Sequence, residues 1–107
     1  MMTTIEELAE ELGIDREDVV EFISVFLDYT ENEDLPALLD GINKKDAEVV
    51  RRRAHSIKGA ALNLMLSEIS SLASQLEKNA ASGKLDDSLS IYADILERMK
   101  LVRETLT

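Results

Sequence analysis

Six residues, Ala47, Val50, Ala54, Ile57, Ala61 and Leu64, recur at alternating intervals of three and four. That is the repeat of an α-helix with one apolar side; a strand would scatter the same set over both faces. The rest of the chain keeps this period. Val19, Phe22, Ile23, Phe26 and Leu27 share a face, as do Leu35, Leu38, Leu39 and Ile42. So do Ile69, Leu72, Ala73 and Leu76, and then Leu89, Tyr92, Ile95, Leu96, Met99 and Val102. Period-two alternation is absent. An all-α fold follows, and short polar connections between amphipathic helices predict an antiparallel, up-down four-helix bundle.

An additional short N-terminal helix is expected over residues 4–12, with Thr4 and Glu7 at capping-box spacing and Gly13 at its stop. A second helix begins at Asp15. It breaks or kinks where the polar run 30–34 meets Pro36, and the spacing does not distinguish a kink from a loop. The helix bearing the six-residue stripe is expected from Asp46, as N-cap, to about Met65. Ser67 opens the next, which ends near Gly83, and a last helix starts around Asp86.

At 107 residues the chain is long enough for one core and too short for two, so residues 1–107 are read as a single domain. It has no cysteine, which leaves no disulfide framework and fits the cytoplasm. The acidic N-terminus lacks the apolar segment of a signal peptide. The most apolar stretch, residues 19–27, is interrupted by Glu21 and Ser24 and is too short to span a bilayer. A soluble protein with no membrane association is expected. A net charge of -10 argues against nucleic acid as a partner.

That charge is uneven. Lys44, Lys45, Arg51, Arg52, Arg53 and Lys58 face only Asp46 and Glu48 between residues 44 and 58, a local balance of +4. Such a run is either a solvated face or an electrostatic guide for an acidic partner.

The lone histidine, His55, lies inside this run. On a wheel of about 100° per residue it falls about 140° from the centre of the buried stripe, and so should face water. Lys58 stands beside it, placed to neutralise an anion on the imidazole. Gly59 is one turn on, where a helix interior gives up about 1 kcal/mol relative to alanine; the missing side chain would let another protein's backbone approach. Leu62 and Leu66 extend the same side as an exposed apolar rim, and Arg51 and Arg52 flank it. A largely unprotonated imidazole is a good nucleophile toward phosphorus at neutral pH. Transfer of the group needs a divalent metal and placed carboxylates, and no acidic metal cluster lies near His55 in the sequence.

The string Ala54-His55-Ser56-Ile57-Lys58-Gly59-Ala60-Ala61, followed by Asn63-Leu64, resembles the signature of the histidine-containing phosphotransfer (HPt) domain, His-x-x-Lys-Gly on a bundle helix. The segments 46–51 and 72–77 resemble that family too, and the likeness extends over residues 19–105.

The resemblance implies a phosphorelay intermediate. His55 would accept a phosphoryl group from an aspartyl phosphate on a response-regulator receiver domain and pass it to another, with a hybrid histidine kinase as a further candidate partner. Lys58 would steady the phosphoryl oxygens, Gly59 would clear room for the receiver, and Glu77 would match the residue that orients the imidazole in some relatives. The protein itself would need no cofactor, Mg2+ being held by the receiver, and would act as a monomer without a catalytic centre of its own. Met65 stands where family members often have a second glycine; the wheel puts it toward the edge of the core. Two other readings share these residues. One is a receiver- or kinase-binding adaptor that is not phosphorylated; the other is the phosphorylatable domain of a chemotaxis-type histidine kinase, which carries the same His-Ser-Ile-Lys-Gly string.

Overall fold

Apolar stripes at helical spacing leave a chain one economical arrangement, helices side by side with their stripes inward. The computed structural model describes residues 5–106 and has that form. Its helices are α1 (Ile5–Leu12), α2 (Arg16–Tyr29), α3 (Leu35–Asn43), α4 (Ala47–Asn63), α5 (Ser67–Ala81) and α6 (Ser88–Glu104), with no strand among the described residues. Thr4, one half of the expected capping box, lies outside the described residues.

Residues 30–34 form neither a loop nor a sharp break. They form one π-helical turn, Thr30–Asp34, through which α2 runs into α3; the Leu35 N–H reaches back five residues to the Thr30 carbonyl. The cause is a phase slip. The buried line Val19, Ile23, Leu27, Thr30 advances by four, four and three, and the next apolar member, Leu35, comes five residues later. An extra residue turns a regular helix by about 100°, and a π turn absorbs it, so both stripes meet the same core. The wider turn also relieves the clash that the Pro36 ring would make with the carbonyl four residues before it. The three segments hold 14, 5 and 9 residues. At 1.5 Å per residue they give a rod of about 42 Å, which matches the 41 Å long axis of the molecule.

The core is one cluster drawn from all six helices. Val19, Leu27, Leu38, Val50, Ala54, Ile57, Ala61, Ala73, Leu76 and Ile95 are completely shielded, and Ile5 and Leu8 tie α1 onto it. The closest-packed pair is α4 with α5, where Ala54, Ala61, Ala73 and Ala80 let the backbones approach. Some expected stripe members sit outside this core. Phe22, Leu89 and Leu96 are exposed, because the buried lines through Ile23–Phe26 and Ile91–Ile95 are already complete without them.

The stripe helix ends earlier than its periodicity predicts, at Asn63 rather than Met65. Met65 adopts a left-handed backbone, φ 57°. The Leu66 N–H bonds to the Ala61 carbonyl and the Met65 N–H to that of Leu62, at 2.9 and 3.0 Å. This pair of bonds is a Schellman turn, which folds the residue after the left-handed one back onto the helix it ends. Leu66 is therefore buried, 8% exposed, and not part of an exposed rim. Met65 is an exposed turn residue and not the edge of a core stripe.

Candidate functional site

Asp46 caps α4, its Oδ1 accepting the Val49 N–H at 3.2 Å. From that start Val50, Ala54, Ile57 and Ala61 turn inward, and the opposite side of the helix carries His55, whose side chain is 64% exposed.

Glu77 meets it from α5. Its neighbours Leu76 and Ala80 are buried, which leaves Glu77 at the seam between the two helices, partly covered. His55 Nδ1 lies 2.7 Å from Glu77 Oε2, and Lys58 Nζ lies 2.6 Å from Glu77 Oε1. The two cationic or donor groups are one helical turn apart and share a single carboxylate. Lys58, and after it His55, hold the Glu77 carboxyl below its ordinary 4.5, against the opposing effect of partial burial. An ionised carboxylate accepts only, so Nδ1 is the donor and carries the ring proton. The lone pair of neutral His55 is then on Nε2, directed away from Glu77.

The other predicted site residues line this face unevenly. Gly59 is one turn beyond His55, and a Cβ built there meets nothing within 4 Å. No contact among the described residues requires glycine at that position. Leu62, one turn further, is 62% exposed. Arg51 is held by Glu48 through bonds of 2.6 and 3.1 Å; that bond raises its pKa, with Glu77 adding to the effect. Arg52 is exposed and 3.9 Å from Glu48. Leu62 remains as the apolar member, whereas Leu66 does not reach this surface.

The basic run is less basic in space than along the chain. Lys44 pairs with Asp40, Arg53 with Asp34 and Lys58 with Glu77, and these counter-charges lie outside residues 44–58. An excess of +4 read along the sequence therefore becomes nearly neutral once the helices pack.

One polar group escaped the sequence reading. Asp34, in the π turn, is 1% exposed and accepts hydrogen bonds from Ser56 Oγ at 2.9 Å and Arg53 Nη1 at 3.3 Å. Only with Thr30 known to be buried does the five-residue gap to Leu35 mark a polar turn facing inward there. Among the described residues, no group of three or more His, Cys, Asp or Glu is arranged to hold a metal ion, and no helix is long and apolar enough to cross a membrane.

Comparison with known proteins gives a consistent result. No curated protein matches the chain. Histidine-containing phosphotransfer protein B (HptB) from Pseudomonas aeruginosa PAO1, known from a crystal structure, shares the fold with a TM-score of 0.82. The two are 23% identical over 92% of this chain and 85% of that one. The profile of the Hpt domain matches residues 1–105. With that match running almost end to end, the chain belongs to the Hpt domain family, the phosphotransfer intermediates of phosphorelays.

Proposed function

We propose that His55 is the phosphoacceptor of this protein and that its donors and acceptors are response-regulator receiver domains, including that of a hybrid histidine kinase. The observation that carries this reading is the carboxylate of Glu77 on Nδ1, which places the proton of a neutral ring there and turns the lone pair of Nε2 away from Glu77, on a side chain that is 64% exposed. Nε2 attacks the phosphorus of a receiver aspartyl phosphate in line with the leaving oxygen. The N–P bond forms, the acyl phosphate P–O bond breaks, and the receiver regains its aspartate carboxylate. Glu77 keeps the Nδ1 proton and balances the positive charge that the ring acquires. In the return step a carboxylate oxygen of the next receiver attacks phosphorus and the N–P bond breaks.

Lys58 is parked on Glu77 within reach of the incoming group, and steadies the phosphoryl oxygens once they arrive. The open space at Gly59 admits the receiver's backbone, Leu62 gives it an apolar contact, and Arg51 and Arg52, sharing the single carboxylate of Glu48, leave one net positive charge at the rim. The divalent metal belongs to the receiver. The protein acts as a cytoplasmic monomer without a catalytic centre of its own.

The test is to add the protein to a panel of phosphorylated receivers and follow acid-labile, alkali-stable label. Label is expected on the wild type and none on His55→Gln. Label that persists on the variant, or receiver binding without any label on the wild type, overturns the proposal; the second result identifies an adaptor.

A further inference from the structure

Glu77 is not the only carboxylate seated on α4. Asp34 sits on another side of the helix, fully buried, with the Ser56 hydroxyl at 2.9 Å and the Arg53 guanidinium at 3.3 Å. Arg53 and Ser56 are three residues apart, as are His55 and Lys58. Each pair offers two donors one turn apart, and each holds one carboxylate from a neighbouring segment. The π turn supplies Asp34, and α5 supplies Glu77. Ser56 and His55 are adjacent in sequence and about 100° apart around the axis.

Apolar packing gives this helix its buried side and leaves the finer setting of its rotation to directional contacts. Two of its four buried stripe residues, Ala54 and Ala61, are methyl groups with little to interlock, and hydrophobic contact is non-directional. Hydrogen bonds are directional. A carboxylate shut away from water is costly unless its partners are in place, so Asp34 selects the rotation of α4 that brings Ser56 and Arg53 to it. A rotation that takes Ser56 off Asp34 also takes His55 off Glu77.

We propose that Asp34 is a positioning residue for phosphotransfer: through Ser56 it fixes the rotation of α4 at which His55 Nδ1 rests on Glu77 and Nε2 faces the incoming phosphoryl group. This rests on His55 being the phosphoacceptor. Asp34 touches no reacting atom and acts only through the helix it anchors.

Ser56→Ala removes the hydroxyl while leaving Asp34 its guanidinium partner, and Ser56→Thr keeps a hydroxyl. Two readouts are used: imidazole 15N NMR of the unphosphorylated protein, and rapid-mixing transfer from a saturating phosphorylated receiver. In Ser56→Ala the Nδ1–H tautomer is expected to lose its dominance, and the transfer rate to fall about tenfold with receiver affinity unchanged. Ser56→Thr restores both. Asp34→Ala combined with Arg53→Met, which leaves no stranded cation, has the same effect, and adding Ser56→Ala to it causes no further loss. Wild-type tautomers and rates in Ser56→Ala, or a loss that Ser56→Thr does not restore, overturn the inference. A wild type that takes no phosphoryl group defeats the proposed function instead, and the tautomer readout still decides whether Asp34 orients His55.

Discussion

Lys58 Nζ lies 2.6 Å from Glu77 Oε1, across the seam between α4 and α5, while the second oxygen of that carboxylate takes His55 Nδ1 at 2.7 Å. One carboxylate thus binds both the imidazole and the cation beside it. Its ionisation has a consequence for stability, because its pKa is lower in the folded protein than the ordinary 4.5. The unfolded chain binds that proton more tightly. The contribution is complete above about 4.5 and is lost as pH falls through the lower folded value. Urea unfolding of wild type and Glu77→Gln should show a stability gap at neutral pH that closes as the solution is acidified below the ordinary carboxylate value. A gap independent of pH contradicts this.

The two glycines inside helices should respond to alanine in opposite directions. At Gly59 the added Cβ meets nothing within 4 Å, so Gly59→Ala gains about 1 kcal/mol of helix propensity. At Gly41 it would stand 2.8 Å from Val49 Cγ1, and overpacking of this kind costs about 1–3 kcal/mol. Thermal denaturation checks both. A bulky residue at Gly59, such as leucine, leaves the fold intact and slows transfer from a receiver; an unchanged rate would show that docking does not pass over Gly59.

Leu62 and Leu66 are four residues apart, yet Leu62 is exposed and Leu66 is buried. Leu66→Ala removes a buried side chain and should cost about 2–5 kcal/mol. Leu62→Ala should stay within about 0.5 kcal/mol of wild type in stability and weaken receiver binding by calorimetry. If Leu62→Ala leaves receiver affinity untouched, Leu62 is not part of the docking surface.

Met65 and Lys45 hold left-handed backbones, φ 57° and 55°, each at the end of a helix closed by a Schellman turn. Glycine adopts that conformation without a Cβ clash. Met65→Gly and Lys45→Gly should each stabilise the protein by about 0.5–1 kcal/mol, read as a rise in the urea midpoint. Destabilisation would mean that the Met65 side chain contributes more packing than its exposure suggests.

The bundle and the exposure of His55 were legible because both rest on periodicity. The Ala47–Leu64 stripe defines a buried direction, and His55 follows by angle alone. The same reasoning failed at Leu66, since it extended the helical period past Asn63 into a turn where Met65 reverses the chain. Residues of that kind carry no period, and the family's preference for glycine at Met65 was the one hint of a helix end. The charge patch misled for a related reason. Counting along residues 44–58 omits Asp34, Asp40 and Glu77, which packing brings in from other segments. Glu77 itself was reached only through family resemblance, because nothing local distinguishes it from an ordinary surface glutamate. Asp34 is not legible in the sequence, because a polar run at 30–34 ahead of Pro36 has the pattern of a break or kink and gives no sign of a π turn facing inward.

The most direct test concerns which ring nitrogen takes the phosphoryl group. Protein labelled with 15N-histidine, phosphorylated by a receiver and examined by 31P and 15N NMR should carry a single phosphoramidate, on Nε2 of His55, with Nδ1 still protonated toward Glu77. A phosphoryl group on Nδ1, or none on His55, would contradict the arrangement described.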